Sequence, residues 1–462
     1  MLKDVIIKSI IEGNQLEGHL DTIRQELKEH PKTIVILDDD PTGTQTVYNV
    51  PVVTNWETSI LENEIINSPI FFILTNSRSL QIEEANALGE LIGKRLVRLS
   101  KKHNKHLLVV SRGDSTLRGH YPNEVEALAK GLNIKTAKHI VAPAFFEGGR
   151  YTYNDTHFVK EGDDFIPAGE TPFAKDLTFG YKNSNLKDWI IEKYDGKINS
   201  KKIISLSIES LRTHSVENII SIIKNSDCSH IIVNATSYSD LQIAALALLK
   251  SNIPFLFRTA ASFVNAISGI EVKGCLSKTD IISNSNKETG ALVVIGSYVP
   301  KTTAQLQLLK EKSNAVFLEL DVTNVQNDLL FEKDINLLLE QVNHYIKTHH
   351  DVVLYTSRTL IKGQTKAESL AIVNRVSNGL ISIIKQLKVQ PRYMVAKGGI
   401  TSSDIATKGL NVKRAKVLGQ VLKGVPVWQL GNETKFPNMP YIIFPGNVGD
   451  NNALYQLTTL LK

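Results

Sequence analysis

Thr33-Ile34-Val35-Ile36-Leu37-Asp38-Asp39-Asp40-Pro41-Thr42-Gly43-Thr44-Gln45-Thr46 runs from an apolar stretch straight into three carboxylates and a turn. A short apolar run bounded by turn residues predicts a buried strand over 33–37, with the acidic block at its carboxyl end. Adjacent carboxylates repel one another and resist desolvation, so a fold keeps them together when a metal, a cationic partner or a proton-transfer task offsets the cost. The plainer reading is a solvated turn that caps the next helix, since Asp, Pro and Gly all favour turns. The rest of the chain decides between them.

Outward from this stretch, short β-branched runs alternate with longer amphipathic ones. Strands are expected at 33–37, 70–75, 106–111, 138–142, 203–206, 230–234 and 254–257, with helices over 81–102, 208–225 and 238–250. Apolar residues spaced by three and four on those helices suit the covering of a parallel sheet. Between 268 and 289 the pattern lapses into Gly, Lys, Ser and Asn, ending in Ser283-Asn284-Ser285-Asn286-Lys287, which reads as a domain connection. The alternation then restarts, with strands near 291–296, 315–319, 352–356, 392–396 and 440–444 and helices near 301–313, 332–348, 365–386 and 451–461. The expectation is an α/β protein of two domains, 1–270 and 285–462, each a mostly parallel sheet flanked by helices. Residues 150–200, poor in apolar runs, read as an excursion over the first domain.

Composition narrows the function. A chain of 462 residues with 42% hydrophobic content can bury full cores. The net charge of +6, from 53 Lys and Arg against 47 Asp and Glu, is spread along the chain without aromatic interleaving. It points to a small anionic ligand and away from nucleic acid. No long uncharged apolar segment and no signal pattern occurs, so the expected setting is cytoplasmic, without a membrane partner. Cys228 and Cys275 lack the spacing of a disulfide framework or a zinc site, and the twelve histidines contain no His-Glu-x-x-His. His349-His350 reads as a helix-end pair and His157 as a solvated loop residue with a hydrogen bond to substrate as the alternative.

In open parallel sheets ligands sit beyond the carboxyl ends of strands, and the polar clusters fall there repeatedly. Thr75-Asn76-Ser77-Arg78 follows one strand, Ser111-Arg112-Gly113-Asp114-Ser115-Thr116-Leu117-Arg118-Gly119 another, and Pro143-Ala144-Phe145-Phe146-Glu147-Gly148-Gly149-Arg150 a third. Arg78, Arg112, Arg118 and Arg150 beside Asp39, Asp40 and Asp114 would make a mixed-charge pocket. Arginine suits bidentate carboxylate binding and an ionised Asp can hold or deprotonate a hydroxyl, so the pocket fits a hydroxylated carboxylic acid. In the second half, Gly296-Ser297-Tyr298-Val299-Pro300-Lys301-Thr302-Thr303, Ser357-Arg358, Lys397-Gly398-Gly399-Ile400-Thr401-Ser402-Ser403 and Phe444-Pro445-Gly446-Asn447-Val448-Gly449-Asp450 are small-residue turns at strand ends. Such turns let a backbone approach phosphate, and otherwise serve as helix caps. Pro300 stands where a Walker A loop needs glycine, and Gly-x-Gly, Asp-Phe-Gly and Gly-x-Ser-x-Gly do not occur.

Taken together, D-D-D-P-T-G-T-Q-T, D-S-T-L-R-G at 114–119, P-A-F-F-E-G-G-R at 143–150, G-S-Y-V-P-K-T-T at 296–303, K-G-G-I-T at 397–401 and F-P-G-N-V-G at 444–449 resemble the four-carbon acid sugar kinase family over nearly the whole chain. The resemblance implies an N-terminal substrate domain, a C-terminal nucleotide domain, an active site in the interdomain cleft, and ATP-dependent phosphorylation of the terminal hydroxyl of threonate, erythronate or 3-oxotetronate. It implies Asp39 and Asp40 as the catalytic pair, with Asp38 an addition found in one branch. Arg78, Arg112, Asp114, Arg118 and Arg150 would bind the acid. Ser297, Ser357, Gly398, Gly399, Ile400, Thr401 and Gly446 would line ATP. Arg112 stands where many members have Lys, Phe146 where Pro is usual, and Ile400 where an acidic residue is common.

The protein is therefore expected to use ATP with Mg2+ carried mainly by the nucleotide and with no metal site of its own; its oligomeric state is not legible in the sequence, although enzymes of this kind are often symmetric dimers and a homodimer is compatible with it. Two other readings compete: a regulatory protein that binds sugar acid and nucleotide without turnover, and a hydroxy-acid oxidoreductase, which the missing dinucleotide glycines disfavour.

Overall fold

The computed structural model describes residues 2–282, 288–359, 361 and 363–462. The stretch Ser283-Asn284-Ser285-Asn286-Lys287, read above as the end of a domain connection, lies outside them. The strands are β1 Thr33–Asp38, β2 Val50–Val53, β3 Ile70–Leu74, β4 Leu107–Arg112, β5 Lys138–Ala142, β6 Arg150–Tyr153, β7 Thr156–Glu161, β8 Asp164–Pro167, β9 Ile203–Leu206, β10 His230–Val233 and β11 Phe255–Thr259. They continue as β12 Leu292–Ile295, β13 Val316–Leu320, β14 Val352–Thr356, β15 Met394–Lys397, β16 Arg414–Leu422, β17 Val425–Leu430 and β18 Pro440–Phe444. The chain forms two compact units, residues 1–46 with 55–272, and residues 47–54 with 273–462.

In the first unit the order β3-β1-β4-β11-β5-β10-β9 is parallel throughout. Every residue of β1 is buried, as expected of a strand covered on both faces. The helix Ile82–His103 shows how the sequence specifies its cover. Gln81 and Glu84 close a capping box, Ala85, Leu88, Ile92, Leu96 and Leu99 form the buried stripe, and Asn104 ends the helix in the left-handed region at φ 48°. The single helix expected over 208–225 is two, Ile208–Thr213 and Val216–Asn225, because the Ser215 side chain caps a new start by accepting from the Asn218 N–H. Residues 150–200 hold an antiparallel meander, β6-β7-β8, and a helix, Leu186–Lys193. Val159, Ala168, Tyr181, Leu186, Trp189 and Ile190 from this region are core residues, so it is a packed layer, not a bare excursion.

In the second unit β13-β14-β12-β15-β18 is parallel, and β17, β16 and β2 continue it in antiparallel fashion. The β16–β17 hairpin turns at Lys423-Gly424, with Gly424 at φ 79°. No strand was expected there. Among the described residues no helix is long and apolar enough to cross a membrane.

Strand order locates one switch point in each unit. From β1 the chain moves to β3 on one side and then to β4 on the other, and from β12 it moves toward β13 and β14 before crossing to β15. A crevice opens beyond strand ends where the order reverses. Asp38-Asp39-Asp40 stands at the first such point and Gly296-Ser297 at the second.

Candidate functional site

At the β1 switch point the carboxylates are arranged in depth. Asp38 is fully buried and Asp39 is 3% exposed, which sets aside the solvated turn. Gly43 folds back onto Asp38 so closely that an added Cβ would lie 1.8 Å from Asp38 Oδ2, so glycine alone fits. Ladder pairing of β1 with β4 sets Arg112 opposite Asp38, and its Nη1 donates to Asp38 Oδ1 at 3.2 Å and lies 3.9 Å from Asp39. Burial pushes the Asp38 carboxyl up to about 7 even against Arg112.

Arg78, on the turn after β3, ties three acids together. It pairs with Asp40, stands 3.1 Å from Asp114 and 3.7 Å from Asp39. Burial would raise Asp40, but Arg78 and the Thr42 hydroxyl and N–H outweigh it and hold the carboxyl below its usual range. Burial likewise opposes ionisation of Asp114, which Arg78, Arg118 and Thr116 overcome by a wide margin. Asp39 goes the other way. Burial dominates, Arg78 and Arg112 act at longer range, and Asp40 and Asp114 add repulsion, so its carboxyl is raised.

Arg118 donates from Nε to Asp114 at 2.9 Å and reaches Asp176 at 3.5 Å. Arg150 makes no ion pair among the described residues. Its guanidinium donates to the Gly148 carbonyl and lies 5.7 Å from the Phe173 ring, whose face Arg118 also covers at 5.1 Å. The structure thus gathers Asp38, Asp39, Asp40, Arg78, Arg112, Asp114 and Arg118 into one network, with Arg150 joined to it through Phe173.

Three further residues belong here: Arg258 and Glu124, which motif reading passed over, and His157, which it placed in a solvated loop. Arg258, an arginine inside the apolar strand β11, is 3% exposed and donates to the carbonyls of Asp114 at 2.9 Å and Arg118 at 3.0 Å, latching that loop. His157 is buried on β7, not a solvated loop residue. Its ring bonds Ser115 O at 2.8 Å and Thr152 Oγ1 at 3.0 Å, and burial draws its pKa down to about 4. Glu124, on the helix Asn123–Gly131, is pushed up to about 7 by burial and by Asp39. The signal available for these was the presence of ionisable residues within apolar patterns.

In the second unit the strand ends close on one another. A Cβ on Gly398, which sits at φ 124°, would lie 3.1 Å from Ser297 Cβ and from Thr401 Oγ1, and one on Gly446 would lie 3.0 Å from Ser297 Oγ. A Cβ on Gly399 would meet nothing within 4 Å. Ser297, Gly398, Thr401 and Gly446 are therefore neighbours around a surface that backbone can present closely to a ligand. The helix Pro300–Lys312 starts beside them without a side-chain cap, leaving its first N–H groups for an anion. Ser357 stands apart in one respect, since its Oγ accepts from the Val322 N–H at 3.0 Å. Arg358 connects that strand end to the Ser297 carbonyl at 2.7 Å, and Ile400 is 68% exposed.

Lys397 has no solvent exposure, yet its Nζ donates to Pro445 O at 2.8 Å and Gly446 O at 3.3 Å and covers the Phe444 ring at 3.9 Å. Burial, with Lys301 adding repulsion, draws its pKa down to about 7. Among the described residues no group of three or more His, Cys, Asp or Glu side chains is placed to hold a metal ion.

Comparison with known proteins agrees with this division. A family model described as a sugar-binding N-terminal domain matches residues 34–267, and one described as a nucleotide-binding C-terminal domain matches residues 292–454. Among solved structures, HI1011 of Haemophilus influenzae, of family DUF1537, is 18% identical, with 93% of this chain and 100% of that one covered and a TM-score of 0.65. A Salmonella typhimurium LT2 protein, provisionally described as a tRNA synthase, is 16% identical, with 92% and 98% covered and a TM-score of 0.68. At these identities the likeness is one of fold. No curated protein matches the chain.

Proposed function

We propose, for a chain that belongs to the family joining a sugar-binding N-terminal domain to a nucleotide-binding C-terminal domain, that it is an ATP-dependent kinase acting on the terminal hydroxyl of a four-carbon sugar acid. The observation that carries this reading is the acid and arginine network at the β1 switch point of the sugar-binding domain, where a buried carboxyl of raised pKa lies beside an ionised one. A sugar acid needs both parts of it: cations for its carboxylate and carboxylates for its hydroxyls.

The arginines divide by what they already hold. Arg112 and Arg78 are occupied by Asp38, Asp39, Asp40 and Asp114, which fixes the aspartates in place. Arg150, which makes no ion pair among the described residues, and Arg118, which holds Asp114, both lie against the Phe173 ring, and we assign the substrate carboxylate to them. Asp40, kept ionised, orients the terminal hydroxyl, and Asp39, whose carboxyl burial raises above its usual range, takes its proton. On the other domain Ser297, Gly398, Gly399, Thr401 and Gly446, with the first turn of the helix Pro300–Lys312, would hold the nucleotide phosphates. Ile400 and Ser357 would border them. Mg2+ bound to those phosphates would neutralise charge during transfer. The chain itself supplies in-line positioning, which is most of what phosphoryl transfer requires.

The test is a coupled ADP-release screen with ATP across threonate, erythronate, 3-oxotetronate and their stereoisomers. At least one acid should stimulate ADP release and yield its 4-phosphate. Binding of both ligands without ADP would instead identify a regulatory protein. Within the same assay Arg118→Ala should weaken acid binding by about tenfold to a hundredfold, the worth of a hydrogen bond to a charged group. Titration with a non-hydrolysable ATP analogue should show little change, and equal losses of both affinities would remove Arg118 from the acid site.

A further inference from the structure

The parallel sheet of the first unit parts between β4 and β11. β4 pairs with β1 over six positions and β11 with β5 over five, but β4 and β11 pair with each other only at Arg112 and Thr259, their carboxyl ends. Toward their starts they border a cavity of about 490 Å3, within the size range of small-molecule sites. Leu107, Leu108 and Val109 are only half-buried, although β4 lies inside the sheet. This wedge is at the opposite end of the strands from the Asp39 network.

Backbone alternation turns polar groups into it. The carbonyls of His106 and Arg112 accept from Thr33 and Asp39 on the β1 side, so the peptide groups of Leu107 and Val109 face β11. Pro254 O accepts from Lys138 on the β5 side, which turns the peptide groups of Phe255 toward β4. The walls are otherwise mainly apolar, with Val97, Leu132, Leu249 and Ile267 among them. The ionisable side chains of the lining, Lys32, Lys101 and His106, are all basic. Lys101 and His106 stand exposed at the rim, and Lys32 is half-buried. Lys32 Nζ donates to Leu249 O at 3.2 Å, and burial draws its pKa down against the pull of Glu26.

We propose that this wedge is a binding site for a small amphipathic monocarboxylate, with its hydrocarbon chain along the apolar walls and its carboxylate at the basic rim of Lys32 and Lys101. Burial of the chain supplies affinity, and the few polar groups set orientation. A partly desolvated ammonium gains more from an anion than a fully solvated one does. The ligand differs in class from a sugar acid, whose hydroxyls would be stripped of water against these walls.

Octanoate is the probe, titrated calorimetrically into the full chain without nucleotide or sugar acid. Saturable binding is expected, with octylammonium weaker by about tenfold or more, the worth of a hydrogen bond between charged groups. Threonate should not compete. Val97→Trp, which fills the wedge from the helix Ile82–His103, should weaken octanoate by about tenfold or more, as expected when a chain loses its apolar contacts. Lys101→Glu, an exposed change that leaves the core alone, should weaken octanoate by about threefold and leave 1-octanol unaffected. If Val97→Trp folds poorly, a diazirine-bearing octanoate locates the site on the unaltered protein, where the label should fall within 97–109 or 248–257. Absence of saturable binding, octylammonium binding as tightly as octanoate, competition by threonate, full affinity in a folded Val97→Trp protein, or a label elsewhere each overturns the proposal. None of these measurements involves ATP turnover, so they decide the site whether or not the kinase reading holds.

Discussion

Asp39→Asn should lower turnover by about a hundredfold to ten-thousandfold, the span typical of losing a positioned general base. Asp40→Asn should act differently, raising the acid KM more than it lowers kcat. The difference comes from surroundings, not chemistry. Asp39 is 3% exposed and its nearest cations lie at 3.7 Å and 3.9 Å, so burial wins and the carboxyl retains basicity. Asp40 is bound by Arg78 and by the Thr42 N–H at 2.8 Å, which stabilises its ionised form and makes it a poor proton acceptor but a firm hydrogen-bond acceptor. The pH profile carries the sign. Activity needs Asp39 deprotonated, and because its pKa is raised, kcat should decline on acidification at a pH above the ordinary carboxylate range. Steady-state kinetics of both variants over pH 5–9 decide the matter. Equal kcat losses for the two would end the division of labour, and unchanged turnover in both would end the catalytic assignment.

Much of this arrangement is legible in the sequence because strand ends are. The run Ile34–Leu37 is continuous and apolar, so the point where carboxylates begin must be the point where the strand meets solvent or site. The same logic places Arg78 on the turn after β3 and Arg112 at the last residue of β4, while Arg150, which the motif set in the loop after β5, opens β6. What cannot be read that way is anything whose role depends on register across the sheet. Arg112 faces Asp38 because β1 and β4 pair one particular way. Arg258 lies within an apolar strand and acts on a loop 140 residues earlier. Lys397 is visible in K-G-G-I-T, yet nothing local says that its ammonium is buried against the carbonyls of Pro445 and Gly446. The β16–β17 hairpin escaped notice for a local reason: Gly419, at φ 145°, coincides with a register shift that interrupts the alternation.

Arg78→Gln should be the most destabilising single change in the first unit, by roughly 3–5 kcal/mol at pH 7.5, because it strands buried carboxylates whose shared cation is gone. Arg78 is 17% exposed and faces Asp39, Asp40 and Asp114 together, so screening by solvent is slight. In the unaltered protein Asp40 and Asp114 have depressed pKa values, so the stability they lend is present above the unfolded-state value near 4 and lost as pH falls through their folded values. Without Arg78, burial is the larger influence on Asp40, and the loss leaves Asp114 with Arg118 alone among its named cations. A carboxyl raised by burial destabilises the fold above its unfolded pKa, and that penalty disappears as the group is protonated. The deficit of Arg78→Gln should therefore be largest at pH 7.5 and shrink measurably by pH 5. Urea unfolding followed through Trp56 and Trp189, both in the first unit, reports it directly. A deficit of the same size at both pH values would mean that Arg78 contributes packing and not charge neutralisation, and the network at the β1 switch point would lose its central cation.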